Sequence, residues 1–195
     1  SVRSTPFLGD ETNIVSINSG YVRGVFDSNA NKVVIINRDG GSGPGDALVA
    51  TVSGTDITFG SNVEWSSGNG VSSFQATFDS SNNKVVIVYN DSSDSFKLKA
   101  IVGTVSGDSI SFGSIATVFN GQVYRYGVTF DSSNNKVVVA FEDYSGSAGK
   151  GIVGTVSGTS ISFGSATTFN SSSTHYIAAT FDTNSNKVVI CYNDD

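Results

Sequence analysis

Four short runs of β-branched and apolar residues dominate the hydrophobic pattern of the chain. Each run begins at a lysine, and the four occupy residues 32–37, 84–89, 136–141 and 187–192. Apolar residues stand at consecutive positions in these runs, which is typical of strands buried on both faces. No segment shows apolar residues with the helical period of about 3.6, so the pattern predicts an all-β protein.

A Phe-Asp pair precedes each run and marks a repeat. The pairs lie at residues 26–27, 78–79, 130–131 and 181–182, with spacings of 52, 52 and 51 residues. The segment that links each Phe-Asp pair to the following run starts with the Asp of the pair and ends in Asn, as in Asp79 to Asn83. We expect this segment to be a hairpin turn in which the Asp caps backbone groups and the Asn adopts a left-handed conformation.

A second hairpin follows in each repeat. The sequence Thr-Val-Ser-Gly at residues 51–54, 104–107 and 155–158 is followed five residues later by Phe-Gly, which predicts two further short strands around a Ser-Gly turn. Small residues just before each Phe of the Phe-Asp pairs, such as Gly24 and Gly127, indicate a first strand that runs close to a crowded central axis.

Four antiparallel strands per unit of about 52 residues predict a β-propeller of four-stranded blades. A β-trefoil would have three repeats, a parallel β-helix much shorter ones, and an open sandwich would alternate polar and apolar residues. Four copies of the first hairpin predict four blades in one domain, residues 1–195. The repeat units are about 21–71, 72–123 and 124–174, with a split repeat formed by 175–195 plus 1–20.

The last blade is then closed by the N-terminal strand and lacks one strand. Either this blade is incomplete, or the chain is an excerpt of a longer repeat array. The absence of Met agrees with a chain that starts and ends inside a repeat.

Two segments carry a resemblance to a known group of proteins. Residues 129–138 (Thr-Phe-Asp-Ser-Ser-Asn-Asn-Lys-Val-Val) and 155–165 (Thr-Val-Ser-Gly-Thr-Ser-Ile-Ser-Phe-Gly-Ser) are similar to tandem-repeat β-propeller proteins of marine phages and environmental microbes. The resemblance covers nearly the whole chain. It implies a propeller fold and a phage tail-fibre-like or surface binding protein, extracellular or virion-associated, and it brings no established catalytic residues.

The loops after the second and fourth strands of each repeat differ in every copy, whereas the two hairpin turns hardly vary. By chain direction the variable loops share one rim, and rigid strands that hold variable loops present a binding surface. Aromatic rings beside short polar groups suit a sugar, because a ring covers pyranose C–H groups while the polar groups bind hydroxyls. The candidate ligand-binding residues are Trp65, Tyr124, Arg125, Tyr126, His175 and Tyr176. Two alternatives stay open, namely loop drift without function and a core-covering role for Trp65.

Acidic residues recur at the end of the second strand of each repeat and are candidate calcium ligands. The candidate carboxylates are Asp39, Asp46, Asp91, Asp94 and Asp143. Calcium takes about six to eight oxygen ligands, usually from a loop that alternates Asp or Asn, and no such run occurs here. Capping of loop backbone by these carboxylates is the alternative. One Cys and one His exclude a zinc site, and we expect no other cofactor.

The composition of the chain limits the classes of partner that it is expected to bind. The formal charge is −6 and the pI is about 4.6, which disfavours nucleic acid, because that binding depends on clustered Lys and Arg. No apolar run approaches the roughly 20 residues of a membrane-spanning helix, so we expect no membrane insertion. The single Cys191 aligns with Val88 and Ala140 in the repeats, which predicts a small core residue.

These observations favour a non-enzymatic binding or adhesion module that recognises a surface glycan or another polymer through its variable loops. The alternative is a structural repeat module that assembles into a fibre or virion appendage and self-associates through the incomplete blade. A polysaccharide-cleaving enzyme is the third hypothesis, because Asp residues at the ring mouth could form a glycosidase pair.

Overall fold

The computed structural model describes residues 19–40, 43–66, 68 and 70–194, with only the backbone of Ser19, Gly20 and Asp39. In these ranges seventeen strands form four antiparallel sheets, and the one helical element is a three-residue 3-10 turn, Ser92–Asp94. The predicted all-β class is thus confirmed. No helix in the same ranges has the length and apolar character needed to cross a membrane.

Sheet 1 has the strand order β1-β2-β3-β4, and the short β5 also pairs with β3. Its strands are β1 (Ser19–Asp27), β2 (Lys32–Asp39), β3 (Gly45–Ser53), β4 (Asp56–Phe59) and β5 (Val63–Glu64).

Sheet 2 has the order β6-β7-β8, with both β9 and β10 paired to β8. Its strands are β6 (Val71–Asp79), β7 (Lys84–Asp91), β8 (Lys97–Ser106), β9 (Ser109–Phe112) and β10 (Ala116–Gln122).

Sheet 3 has the order β11-β12-β13-β14, with β15 also paired to β13, and sheet 4 contains β16 and β17. The strands of sheet 3 are β11 (Tyr126–Asp131), β12 (Lys136–Asp143), β13 (Ala148–Ser157), β14 (Ser160–Phe163) and β15 (Thr167–Asn170). Sheet 4 consists of β16 (Thr174–Asp182) and β17 (Lys187–Asp194).

The first hairpin of every sheet turns as the sequence predicts. In sheet 2, Asp79 Oδ1 accepts hydrogen bonds from the backbone N–H groups of Ser81 and Asn82 at 3.0 and 2.9 Å. The Asp at the same position of the other three sheets accepts equivalent bonds. The Asn that ends each turn has a φ of 54 or 55°, the left-handed conformation expected. The turn chemistry is therefore confirmed in all four copies.

Two of these capped turns, those at Asp131 and Asp182, make the stability of the protein sensitive to acid. A hydrogen bond from the Ser133 hydroxyl, with further bonds from Asn134 and from backbone N–H groups, holds the pKa of Asp131 below its usual value, against a smaller opposing effect of burial. The Ser185 hydroxyl and two backbone N–H groups lower the pKa of Asp182 in the same way. A lowered folded-state pKa contributes stability that is complete above the unfolded pKa of about 3.9 and is lost as the pH falls through the folded value.

We therefore expect the free energy of unfolding contributed by these turns to be constant above about pH 5 and to decline below about pH 4. Urea denaturation at a series of pH values measures this. The variant Asp131→Asn keeps an oxygen that accepts hydrogen bonds but does not titrate, so its decline should be shallower. An equal decline in wild type and variant would contradict the assignment to Asp131.

The first strands of the four sheets lie side by side, since β1 contacts β6, β6 contacts β11 and β11 contacts β16. A Cβ atom at Gly127 would lie 2.7 Å from the backbone N of Ala179, so β11 and β16 approach as closely as the small residues suggest. At Gly24 the nearest atom, Val33 Cγ1, is 3.9 Å away, and that position is not crowded. Small residues are therefore required between β11 and β16 but not at Gly24.

Among the described residues, the core consists of two clusters on the two faces of sheet 2. Val86 and Val88 of β7 belong to the cluster shared with sheet 3, and Val85 and Ile87 belong to the cluster shared with sheet 1. Alternate residues of one strand thus enter different clusters, because successive side chains of a strand point to opposite faces. The predicted burial of this strand on both faces is confirmed.

Strand β17 differs from its three counterparts, because most of its residues are exposed. Cys191 is exposed, so its predicted place in the core is wrong, and Tyr192 is 41% exposed where the equivalent Tyr89 and Phe141 are buried. The reason is that β17 pairs only with β16 among the described strands. The predicted closing strand from residues 1–18 lies outside the described residues.

Candidate functional site

A cavity of about 250 Å³ lies where the first strands of the four sheets begin. The first strand of each sheet, with the residues just before it, contributes two or three residues to its wall. The lining residues are Tyr21, Arg23, Ser73, Phe74, Gln75, Tyr124, Arg125, Tyr126, Tyr176 and Ile177. This cavity is called the loop-end cavity below, because the variable loops surround it. Its volume lies below the range of about 300–1,000 Å³ for sites that enclose drug-sized ligands, so one compact chemical group fills it.

One-residue bulges set the direction of the side chains at this end. Between His175 and Ala178, β16 advances three residues while its partner β17 advances two, and β1 makes the same shift between Ser19 and Val22. An extra residue bends the strand and changes the direction of a side chain. Tyr176 lies in the bulge with a φ of 51°, a conformation that non-glycine residues seldom adopt, and its side chain is 80% exposed.

Exposed tyrosine rings form one side of the loop-end cavity. Tyr124 packs against Phe96 and Tyr144, with ring centroids 4.9 and 5.0 Å apart, and its hydroxyl accepts a hydrogen bond from Gln122 Nε2 at 2.6 Å. Tyr144 is 52% exposed. The three rings hold one another in place, so an aromatic surface is available without the cost of ordering it on binding.

The floor of the cavity is fixed by a buried tyrosine. The hydroxyl groups of Tyr126 and Ser73 lie 2.9 Å apart and join sheets 2 and 3. Burial raises the pKa of Tyr126 above its usual value, and the hydrogen bond with Ser73 offsets only part of this effect. Tyr126 is therefore a neutral, rigid wall residue.

Three arginines gather at this end of the molecule. Arg125 Nη1 lies 2.6 Å from Glu142 Oε2, whose side chain is 4% exposed, and His175 Nδ1 lies 3.3 Å from Glu142 Oε1. The guanidinium of Arg38 donates to the carbonyl groups of Val71 and Ser72 and lies 4.9 Å from the centre of the Tyr21 ring.

Arg23 is the third arginine and lines the cavity. Its Nη1 donates to the carbonyl of Val22 at 2.9 Å. No carboxylate of the described residues forms an ion pair with it.

The structure brings together four of the six predicted ligand-binding residues. Tyr124, Arg125, Tyr126 and Tyr176 line the cavity, and His175 lies beside them against Glu142. Trp65 is elsewhere: it is 3% exposed, and its ring packs against Phe74 and Tyr89 in the core shared by sheets 1 and 2. Of the two alternatives for Trp65, the structure supports the core role, which corrects its placement among exposed ligand-binding residues.

The sequence prediction missed Tyr21 and Arg23, although a signal for Tyr21 exists. Tyr21, Ser73, Arg125 and Tyr176 all stand five residues before the Phe of a Phe-Asp pair, and all four line the cavity. The prediction compared loops alone, whereas this position lies at the start of the first strand. A comparison of the repeats position by position identifies it.

The candidate calcium ligands do not form a metal site in the described residues, which contain no group of three or more His, Cys, Asp or Glu side chains placed to hold an ion. Lys99 Nζ lies 2.7 Å from Asp91 and 2.9 Å from Asp94. Burial alone would raise the pKa of Asp91, but hydrogen bonds from Lys99 and Ser93 outweigh it and lower the pKa.

The third copy repeats this ion pair, because Lys150 Nζ lies 2.6 Å from Asp143 Oδ2. Each lysine stands on the strand next to its carboxylate. In sheet 1 the position that matches these two lysines is occupied by Asp46, which pairs with Asn37 of the neighbouring strand. The side chain of Asp39 lies outside the described residues. Lysine ammonium groups thus take the place that a cation would need at Asp91, Asp94 and Asp143.

A second cavity, of about 480 Å³, lies at the opposite end of the first strands. Its walls repeat one motif, since Phe26, Phe78, Phe130 and Phe181 all contribute. The residues at this end are nearly identical in every sheet, so this cavity is a consequence of the repeated sequence. The residues at the loop-end cavity, in contrast, differ from copy to copy.

A comparison with protein-family models finds no match to this chain, and a comparison with curated proteins finds none. The resemblance to phage and microbial propeller proteins therefore stays a prediction. The site must be interpreted from its own chemistry.

Proposed function

We propose that the chain is a four-bladed β-propeller that acts as a non-enzymatic binding module and holds a glycan at the loop-end cavity. Support for the ring comes from the four neighbouring first strands and from two cavities that each take residues from all four sheets. Closure of the fourth blade by residues 1–18 is part of this proposal. A rigid ring of antiparallel sheets suits binding, because it presents loops on a fixed frame.

The observation that carries the proposal is the set of exposed tyrosines around the loop-end cavity. Tyr21, Tyr124, Tyr144 and Tyr176 are 37 to 80% exposed, although large aromatic side chains are usually mostly buried. Tyrosine offers a rigid apolar ring with a polar tip, so it can cover the C–H face of a pyranose and bind a hydroxyl. Gln75 and Ser73 place short polar groups between the rings.

The variant Tyr176→Ala tests this assignment. Tyr176 is 80% exposed, so its loss should leave stability within about 0.5 kcal/mol of wild type. We expect it to weaken glycan binding by about tenfold or more, because exposed aromatic anchors at the centre of a site contribute most to affinity. A glycan array of neutral and acidic oligosaccharides identifies the ligand, and calorimetry on the best-bound oligosaccharide measures the change.

The matched control is Tyr192→Ala. Tyr192 is 41% exposed, packs against Phe169 and is not among the residues that line the loop-end cavity. Unchanged affinity in this variant and a loss in Tyr176→Ala would support the site. An array without any bound glycan, or equal losses in the two variants, would overturn it.

A second candidate function is assembly into a fibre or virion appendage. The observation that favours it is the exposure of β17, where Val189, Cys191 and Tyr192 are all exposed. Among the described strands β17 pairs with β16 alone, and an unpaired strand edge can accept a strand from another chain. Light scattering at high concentration discriminates the candidates, because a monomeric protein that binds a glycan contradicts assembly through β17.

The proposed module acts outside the cell or on a virion, where glycans are accessible, and its proposed chemistry is binding alone. Among the described residues that line the loop-end cavity there is no carboxylate. The expectation of a non-enzymatic protein stays a prediction, and incubation of the bound oligosaccharide with the protein, followed by chromatography of the products, tests it.

A further inference from the structure

We infer that the ligand of the loop-end cavity is an acidic saccharide, with a carboxylate or sulfate group that is bound by Arg23 together with Arg125. This inference rests on the proposed glycan-binding function and specifies the ligand class of the same site. It follows from the distribution of charge, from the state of the two guanidinium groups and from the size of the cavity.

The distribution of charge is uneven. The chain has a formal net charge of −6, yet its three described arginines, Arg23, Arg38 and Arg125, all lie at the loop end. Among the described residues, Glu142 is the one carboxylate that forms an ion pair with any of them. The described lining of the cavity holds two of these guanidinium groups and no carboxylate, so an anionic ligand would be attracted to it.

The two cavity arginines are in different states. Arg125 is held by Glu142, which is in turn near His175, so its position is fixed and its charge is compensated. Among the described residues Arg23 has no carboxylate partner: its Nη1 donates to a backbone carbonyl and its guanidinium lies 5.9 Å from the centre of the Tyr21 ring, which leaves other N–H donors available. A guanidinium presents its donors as a planar fork that matches a carboxylate or sulfate with two parallel hydrogen bonds.

The cavity also limits the size of the acidic unit. A volume of about 250 Å³ accommodates a single sugar ring rather than a branched oligosaccharide. Tyr124 and Tyr176 extend the aromatic surface beyond the cavity, where neighbouring units of the same polymer would stack. An acidic polysaccharide with a charge on each unit would therefore place one unit between the arginines and its neighbours on the tyrosines.

The experiment compares three defined trisaccharides by calorimetry on the full chain: a trigalacturonate, the neutral galactotriose and a sulfated galactan trisaccharide. We expect the two acidic probes to bind more tightly than the neutral one, and we expect their affinity to fall as salt is raised, because a screened ion pair weakens. The carboxylated and sulfated probes distinguish which acidic group the site prefers.

The variant Arg23→Gln should weaken binding of the preferred acidic probe by about 10- to 100-fold and change binding of the neutral probe by less than about threefold. Arg23→Lys keeps the charge but loses the planar fork, so its loss should be intermediate. The control is Lys187→Gln, which changes the net charge equally at an exposed site on the opposite end of β17. Thermal unfolding of each variant shows that it is folded.

The outcomes separate the inference from the proposed function. Equal binding of acidic and neutral trisaccharides would overturn the inference and leave the glycan-binding proposal intact. Equal losses in Arg23→Gln and Lys187→Gln would also overturn it, because binding would then depend on net charge rather than on the cavity. If none of the three probes binds and the glycan array is empty, both the inference and the proposed function are wrong.

Discussion

Replacement of Trp65 by alanine is expected to lower the free energy of unfolding by about 3–5 kcal/mol, the cost typical of removing a buried aromatic side chain. The Trp65 ring lies 5.9 Å from that of Phe74 and 5.1 Å from that of Tyr89, in edge-to-face contacts within the core between sheets 1 and 2. Its Nε1–H donates to the carbonyl of Asp46 at 3.0 Å. A side chain at Gly45 would overlap the ring, which shows how closely the pocket fits it.

Urea denaturation followed by circular dichroism measures this effect, because the variant lacks the one tryptophan that would report by fluorescence. Should Trp65→Ala fail to fold, Trp65→Phe keeps most of the ring and loses the hydrogen bond to Asp46, with an expected cost of about 1–2 kcal/mol. Tyr192→Ala serves as the control and should cost less than about 1 kcal/mol, because Tyr192 is 41% exposed.

The same variants decide between a core role and a ligand-binding role. Loss of a core residue lowers stability and leaves the ligand affinity of the folded protein unchanged. Loss of a ligand-binding ring lowers the affinity and leaves stability unchanged. Unaltered stability of Trp65→Ala together with a loss of glycan affinity would contradict the core assignment.

Replacement of Gly60 by alanine is expected to cost about 3 kcal/mol and to lower the melting temperature by roughly 6–12 °C. Gly60 follows β4, and its N–H donates to Val49 at 2.8 Å. A methyl group at this position would overlap the backbone carbonyl oxygen of Asp108. Asp108 lies in the turn between the third and fourth strands of sheet 2, β8 and β9, which is called the outer turn of that sheet. The backbone of this turn cannot move without separating two packed sheets, so the overlap is relieved only by disrupting their contact.

Gly113 provides an independent copy of this test. It occupies the same position in sheet 2, and a methyl group there would overlap the backbone carbonyl oxygen of Thr159, in the outer turn of sheet 3. The cost of Gly113→Ala should therefore be similar. The contact recurs because the Phe-Gly of one repeat meets the outer turn of the next in both of these copies, whereas an added Cβ at Gly164 has only Val153 O within 4 Å, at 3.9 Å.

The control is Gly151→Ala, because Gly151 lies in β13 with no described atom within 4 Å of an added Cβ. This variant should be as stable as wild type or more stable by up to about 1 kcal/mol, since alanine loses less chain entropy on folding. Thermal and urea unfolding measure the stability of all three variants. Equal stability of Gly60→Ala and Gly151→Ala would show that sheets 1 and 2 do not meet as described.

Much of the fold was predictable from the sequence, because the information is local. The runs at 84–89 and 136–141 fall inside β7 and β12, and the Asp and Asn of each first hairpin adopt their expected roles. Alternation of side chains along a strand and the conformations allowed in a tight turn depend on a few neighbouring residues. Repetition then shows each signal several times.

The candidate site was predictable in part. Tyr124 and Tyr176 were found because the loops around them vary, whereas Tyr21 and Arg23 were missed because they belong to a strand. The bulges that redirect Tyr21 and Tyr176 depend on pairing with the neighbouring strand, which no single segment reveals.

The sequence by itself therefore determined the all-β class, the repeat of about 52 residues and the hairpin turns. Only the tertiary structure decided that Trp65 is buried, that Lys99 forms ion pairs with Asp91 and Asp94, and that Arg23 faces the cavity without a carboxylate partner among the described residues. The physical reason is the range of the interactions. Strand periodicity and turn conformation arise within about ten residues, whereas burial and charge pairing depend on which strands and sheets become neighbours.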